Sequence, residues 1–290
     1  MTIATGRILE KNKDMASPPH ISWLKDSGQT LSTATGEKVQ ILEFTHAPDK
    51  TILSGWAKHF REHYCLDAVL DEAREGTGLS RKDYLTQLVF PDKSVAPGPS
   101  TRVGDFAEIL VADYIEYVQG WTVPRTRYRM KSSANESTKG TDILAFRLTK
   151  TTNLEKKVYS PQDILMSVEV KAQFSGKKAN ARLQDAINDS VKDQFRKAMS
   201  LNAMKRRLQS ESDEVNAKLV ERFQNLADRP YQARYTAAAF HCVSNFADAA
   251  VTDAKTDKHP ERKKLSLLLV KGSTMMQLVT QLYEVAANEA

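Results

Sequence analysis

Glu169 and Lys171 stand two residues apart inside an otherwise apolar run, residues 165–174, and Asp142 opens a second apolar run upstream. Side chains alternate across a strand, so Glu169 and Lys171 share one face while Val168, Val170 and Ala172 share the other. Ionisable groups in mid-strand carry a desolvation cost, and they occur where charges pair, where a metal binds, or where the strand end opens into a cleft. Glu-x-Lys also occurs at Glu155-Lys156-Lys157 and Glu261-Arg262-Lys263, but those copies lie in polar, lysine-rich stretches. The plainer alternative for Glu169 and Lys171 is an ion pair on a solvated sheet.

Asp142 follows a glycine turn, Lys139-Gly140-Thr141, and a polar connection over residues 149–162 separates its strand from that of Glu169. Two such strands are expected to be antiparallel neighbours, which brings Asp142 and Glu169 to one end of a sheet. Their hard oxygens suit Mg²⁺ or Mn²⁺. Residues 101–119 have helical period; Glu108 lies at the border of the apolar arc beside Gly104 and Ala112, while Asp105, Asp113 and Glu116 fall on the opposite, polar side. In the chemistry these residues fit, Asp142, Glu169 and the Val170 carbonyl hold a divalent cation and Glu108 reaches it through water or completes a second site. Lys171 orients the attacking water or stabilises the phosphorane-like transition state, and the reaction class is phosphodiester hydrolysis. Lys192 and Gln194, on a following helix, are further polar candidates.

In order, the elements expected are the Glu108 helix, strands over residues 121–129, 141–148 and 164–174, a helical region over 180–227, strands over 235–243 and 265–270, and a closing helix. This resembles the restriction-endonuclease-like PD-(D/E)xK nucleases, whose core is helix, three strands, helix, strand. Glu108, Asp142 and Glu169-Val170-Lys171 match the family's acidic helix residue, second-strand aspartate and third-strand motif, with Thr141 in place of the proline. The stretches 102–110, 139–142, 168–173 and 276–283 further resemble the HamA family, effector subunits of Hachiman antiphage systems that work with the helicase HamB. The resemblance implies an α/β restriction-endonuclease-like core, a central mixed sheet flanked by helices, acting as a Mg²⁺-dependent deoxyribonuclease under a HamB-like helicase.

The 42 Lys+Arg against 36 Asp+Glu give a formal charge of +6 and a sequence pI of about 9.1, which suits a polyanionic partner. Arg125, Arg127, Arg129 and Lys131 alternate before Asp142 and would line one strand face. Lys177, Lys178 and Arg182 follow the Glu169 strand, and Lys192, Arg196 and Lys197 continue the series. A DNA backbone passing the metal site would meet them all; solubilising surface charge is the bland alternative.

The length allows two domains, and the Pro- and Ser-containing stretch 92–100 divides a smaller N-terminal α+β domain, residues 1–95, from the nuclease-like domain, residues 96–290. Strands over 21–24 and 38–44 and helices over 52–74 and 81–89, the last capped by Ser80, are expected in the first. His59-Phe60-Arg61-Glu62-His63 matches the inverted zincin pattern, H-x-x-E-H, but needs an acidic ligand from a later helix, and Glu72 and Glu75 lie too far along the same one. The default for these histidines is the surface. Cys65 and Cys242 lack a C-x-x-C partner and fit a reducing cytoplasm. No apolar run is long enough to span a membrane, and no P-loop is present, so an ATP-driven step belongs to a partner. The reading is thus a metal-dependent DNA nuclease; the alternatives are a catalytically silent DNA-binding or regulatory subunit of the same fold and, less well supported, a zinc peptidase.

Overall fold

The computed structural model describes residues 17–129 and 131–290. Strands β1 (Leu24–Ser32) and β2 (Lys38–Phe44) form a hairpin, and helix α1 (Lys50–Glu62) follows with Asp49 as its N-cap. Helix α2 (Gly98–Asp113) continues into a π-helical turn, Tyr114–Val118. Next come β3 (Ile143–Arg147) and β4 (Ile164–Gln173), then α3 (Arg182–Ser190), α4 (Asp193–Ser210) and α5 (Glu214–Arg222). Strands β5 (Gln232–Cys242) and β6 (Leu265–Gly272) and helix α6 (Met275–Asn288) complete the order.

All six strands share one mixed sheet in the order β1-β2-β6-β5-β4-β3. The inner pairs β2/β6, β6/β5 and β5/β4 are parallel, whereas β1/β2 and β3/β4 at the edges are antiparallel. The inner strands read as nearly continuous apolar runs because helices cover both faces. On one face Val168, Val170, Phe240 and Val270 pack with residues of α1, α2 and α6. On the other, Ala237 and Ala239 lie under Leu183, Ala186 and Ile187 of α3, and Phe146 and Leu165 lie under α4 and α5. The run Ala237–Ala239 is a weak strand former by propensity. Its small side chains are fully buried, which lets the flanking helices come close. This is the α/β architecture expected, a helix-flanked mixed sheet consistent with a restriction-endonuclease-like core.

Several expected elements differ. No strand forms over 121–129; Thr122 makes one bridge with Phe146, and the rest is irregular. Residues 19–23 form a 3₁₀ turn, with Pro19 at a helix-first position, and the strand begins at Leu24. The helix expected over 52–74 stops at Glu62, and a separate short helix covers Leu70–Arg74. Ser80 does cap the next helical segment, accepting from the Asp83 N–H. The stretch expected as a linker enters α2 at Gly98. The proposed boundary near residue 95 thus falls between elements of one sheet: β2 pairs with β6, and Trp56 and Phe60 of α1 share a core with Leu278, Leu282 and Tyr283 of α6. The first sixteen residues of that segment lie outside those described. Among the described residues, no helix is long and apolar enough to cross a membrane.

Candidate active site

Strand register does the first positioning. Ile143 pairs with Val168 across β3/β4, so the preceding residue, Asp142, comes level with Glu169. The bond that fixes it runs from the Val170 N–H to Asp142 Oδ2, 2.9 Å. Gly140 prepares the turn: its φ is +111°, and a Cβ there would lie 2.7 Å from the Ser200 hydroxyl, which accepts the Thr141 N–H at 3.1 Å. Thr141 is therefore held by α4, and its own hydroxyl donates to Asp193 Oδ1 at 3.0 Å.

Glu169 and Lys171 point together, as alternation requires. Lys171 Nζ lies 2.8 Å from Glu169 Oε1 and 2.9 Å from Asp189 Oδ2 on α3. Glu108 comes from the buried helix α2, where Tyr128 donates to its Oε2 at 2.7 Å. Arg127 joins the two acidic ends: its Nε is 2.8 Å from Glu108 Oε2 and its Nη2 2.7 Å from Asp142 Oδ1. The same guanidinium donates to the Thr141 and Thr138 carbonyls, 2.6 and 2.9 Å. The four expected catalytic residues are consequently connected through short contacts on one end of the sheet.

Burial dominates the electrostatics. It pushes Glu108 up to about 8 against the opposing pull of Arg127, and Glu169 up to about 8 with the neighbouring Asp142 adding to the effect. Lys171 loses hydration as well, yet Glu169 and Asp189 hold it above the usual lysine range. Asp193, absent from the expected set, is fully buried and is pushed up to about 7 by desolvation, Asp142 adding to the rise. Its Oδ2 and Glu169 Oε2 are buried oxygens with no hydrogen-bond partner. Unpaired buried oxygens of this kind are costly, and hard acceptors beside Asp142 suit a divalent cation. Asp142, Glu169 and Asp193 are thus the carboxylates that would hold such an ion, although among the described residues their oxygens do not form a set of three within 4.8 Å of one another. Asp193 could have been suspected from Asp189-Ser-Val-Lys-Asp193, which repeats an acid four residues on, but nothing local distinguishes it from a solvated helix carboxylate.

The basic residues divide into two groups. Arg125, Arg127, Arg129 and Lys131 keep their alternation but turn inward: Arg125 pairs with Asp113 and Glu116, Arg127 with Glu108 and Asp142, Arg129 with Glu211, and Lys131 with Asp105. Asp105 and Asp113, expected on a polar face, are buried because α2 is covered all round. Lys177, Lys178, Lys192 and Gln194 are exposed, Lys192 pairing with Asp189, and Arg182 is half-buried and paired with Asp185. The loop carrying the first two is folded back by Gln173, whose amide donates to the Lys178 carbonyl at 2.8 Å and accepts from the Asn180 N–H at 2.7 Å. An open groove bounded by Ser100, Asp142, Lys171, Asn180 and Arg182 leads from this loop to the acidic cluster.

The HamA family model matches residues 19–286, nearly the whole chain. The chain belongs to the HamA family. The match includes α2, the β3/β4 pair and α4, so every carboxylate of the cluster lies within the HamA-like region. Among curated proteins no sequence matches it.

Proposed function

We propose that this chain is the nuclease effector of a Hachiman antiphage system, hydrolysing DNA phosphodiester bonds with Mg²⁺ or Mn²⁺ under the control of a HamB-like partner helicase. Membership of the HamA family supports the defence role. The observation that carries the chemistry is the junction of Asp142 with the Glu169-Val170-Lys171 strand through the Val170 N–H, beside two buried carboxylate oxygens without partners.

When bound, a divalent cation supplies Lewis acidity toward a phosphate and lowers the pKa of water. The protein's part is to hold and orient. Asp142 is fixed by the strand ladder and Arg127, and Glu169 by Lys171. Lys171, kept cationic by two carboxylates, is the group to neutralise charge growing on a phosphate oxygen. Arg182 in the groove, with Lys177 and Lys178 on the adjoining loop, would steady the DNA backbone, and Arg125, Arg127 and Arg129 act instead as internal counter-ions.

A silent subunit of the same fold is the second reading, favoured by one observation: Arg127 already neutralises Glu108 and Asp142. Plasmid degradation with Mg²⁺ and an activated partner separates the two. Cutting by the wild type and none by Glu169→Ala/Lys171→Ala is expected, whereas a wild type that stays inert with its partner leaves the silent reading.

A further inference from the structure

A second polar cluster lies where α1 meets α2, and the nuclease chemistry does not use it. His59 and His63 are one helical turn apart, and their Nε2 atoms face each other at 3.2 Å. Asp113, the last residue of α2, places Oδ1 2.9 Å from His59 Nε2. The three ligand atoms all lie within 4.8 Å of one another. The acid that the H-x-x-E-H stretch requires from a later helix is thus Asp113, not Glu72 or Glu75.

Hydrogen bonding satisfies this arrangement only if two short contacts share one hydrogen. A ring nitrogen bears one hydrogen or one lone pair, never both. If His59 Nε2 is protonated, its single hydrogen must serve Asp113 Oδ1 and also the His63 nitrogen. If it is bare, it can accept from His63, but its lone pair then faces a carboxylate oxygen at 2.9 Å. Each placement leaves one short contact without a hydrogen of its own. Three lone pairs converging on one cation remove the conflict. A tetrahedral zinc with ligands at about 2.0–2.1 Å has ligand-to-ligand edges of roughly 3.3 Å, close to the 2.9 and 3.2 Å found.

The surroundings suit a ligand set held in place. His20 donates from Nε2 to the other Asp113 oxygen, Oδ2, at 2.9 Å, fixing the carboxylate plane, and stacks on Trp56. Arg125 Nη2 also reaches Asp113 Oδ1, at 2.8 Å, and its charge opposes a metal, but Glu116 lies 2.7 Å from the same nitrogen and offsets it. His20 and Asp113 are sealed, and His63 is 5% exposed. The His59 side chain, 20% exposed, gives an ion a path in.

We propose that His59, His63 and Asp113 form a structural site for a borderline transition metal, zinc first, that clamps α1 to the helix carrying Glu108. The inference is independent of the nuclease reading. It ties the N-terminal hairpin and helix to the cluster through protein architecture alone.

Cobalt(II) titration of untagged full-length protein, followed by visible absorption, tests it together with zinc content by mass spectrometry. The wild type is expected to retain a single zinc per chain and to give the intense bands of four-coordinate cobalt. His63→Ala and Asp113→Asn should lose both signals, while Glu169→Gln keeps them, since an all-oxygen site gives only weak octahedral absorption. Zinc in about hundredfold excess over its dissociation constant should raise the wild-type melting temperature by roughly 5 °C and leave His63→Ala unmoved. Two results would overturn the assignment: a wild-type cobalt spectrum that is merely that of the aquo ion, with no zinc retained after supplementation, or four-coordinate bands that persist in His63→Ala. Circular dichroism checks the fold of each variant, and if His63→Ala does not fold, the wild-type spectrum alone decides.

Discussion

The Val170 N–H donates to Asp142 Oδ2, so an amide of β4 fastens the residue that precedes β3. With Arg127 on the other oxygen, the bond places a carboxylate where the Glu169 motif needs it. Asp142→Asn keeps an acceptor for that N–H and loses the charge. We expect a folded protein whose Mg²⁺ affinity falls about 10–100-fold or more, read by calorimetry, with plasmid cleavage lost in parallel. Retention of wild-type cation binding would remove Asp142 from the site.

Lys171→Ala removes the ammonium between Glu169 and Asp189. Cleavage should drop by about 10²-fold or more while cation binding persists. Single-turnover rates at saturating Mg²⁺ provide the measure, and an equal loss of cation binding would assign Lys171 to holding Glu169 instead.

Asp193 gives the clearest contrast between stability and activity. Asp193→Asn keeps an acceptor for the Thr141 hydroxyl and removes a buried negative charge that desolvation and Asp142 both disfavour. Its melting temperature at about pH 8 should match or exceed that of the wild type, with cleavage about 10-fold lower or worse. A destabilised variant with full activity would make Asp193 a packing residue.

The acid side of the pH profile follows from burial. Ordinary glutamate and aspartate values are 4.5 and 3.8, and Glu108 and Glu169 titrate near about 8 and Asp193 near about 7. Between those limits the folded protein binds more protons than the unfolded chain, so these groups lower stability as pH rises toward about 8. A cation held by Glu169 and Asp193 must displace their protons. Its affinity should therefore climb from about pH 6 to about pH 8 and then level, and the Mg²⁺-induced rise in melting temperature should be largest at the alkaline end. Differential scanning fluorimetry across that range checks it; a shift independent of pH would contradict it.

Arg222 and Asp163 provide a control remote from the cluster. Both side chains are fully buried, Nε to Oδ2 is 2.8 Å, and the guanidinium also donates to the Ser160, Arg229 and Pro230 carbonyls. Arg222→Met should cost about 3–5 kcal/mol by stranding the aspartate. Urea denaturation gives the loss, and cleavage per folded molecule should be unchanged.

Period-two and period-3.6 patterning made the Glu169 strand, the Glu108 helix and the closing helix legible in the sequence, because each has a long apolar run that only one periodicity fits. Asp142 was legible through Gly140, whose turn is local. The arginines at 125, 127 and 129 were legible as an alternation but not in direction: their partners, Asp113, Glu108 and Glu211, lie elsewhere in the chain, and a charge pattern does not say whether it faces water or buried acid. Asp193 was hidden for the same reason, since only the Thr141 contact sets it apart. The placement of β2 beside β6 was equally out of reach, because two apolar strands far apart carry no pairing signal.

That placement sets the order in which the molecule can be built. A ribosome delivers β1 and β2 more than two hundred residues before β6, residues 265–272, which pairs with β2. Until then the hairpin has an open edge, β5 has another, and the nascent chain has no way to join them. A product cut short before β6 would hence be two sticky fragments on one tether, bound for aggregation or proteolysis.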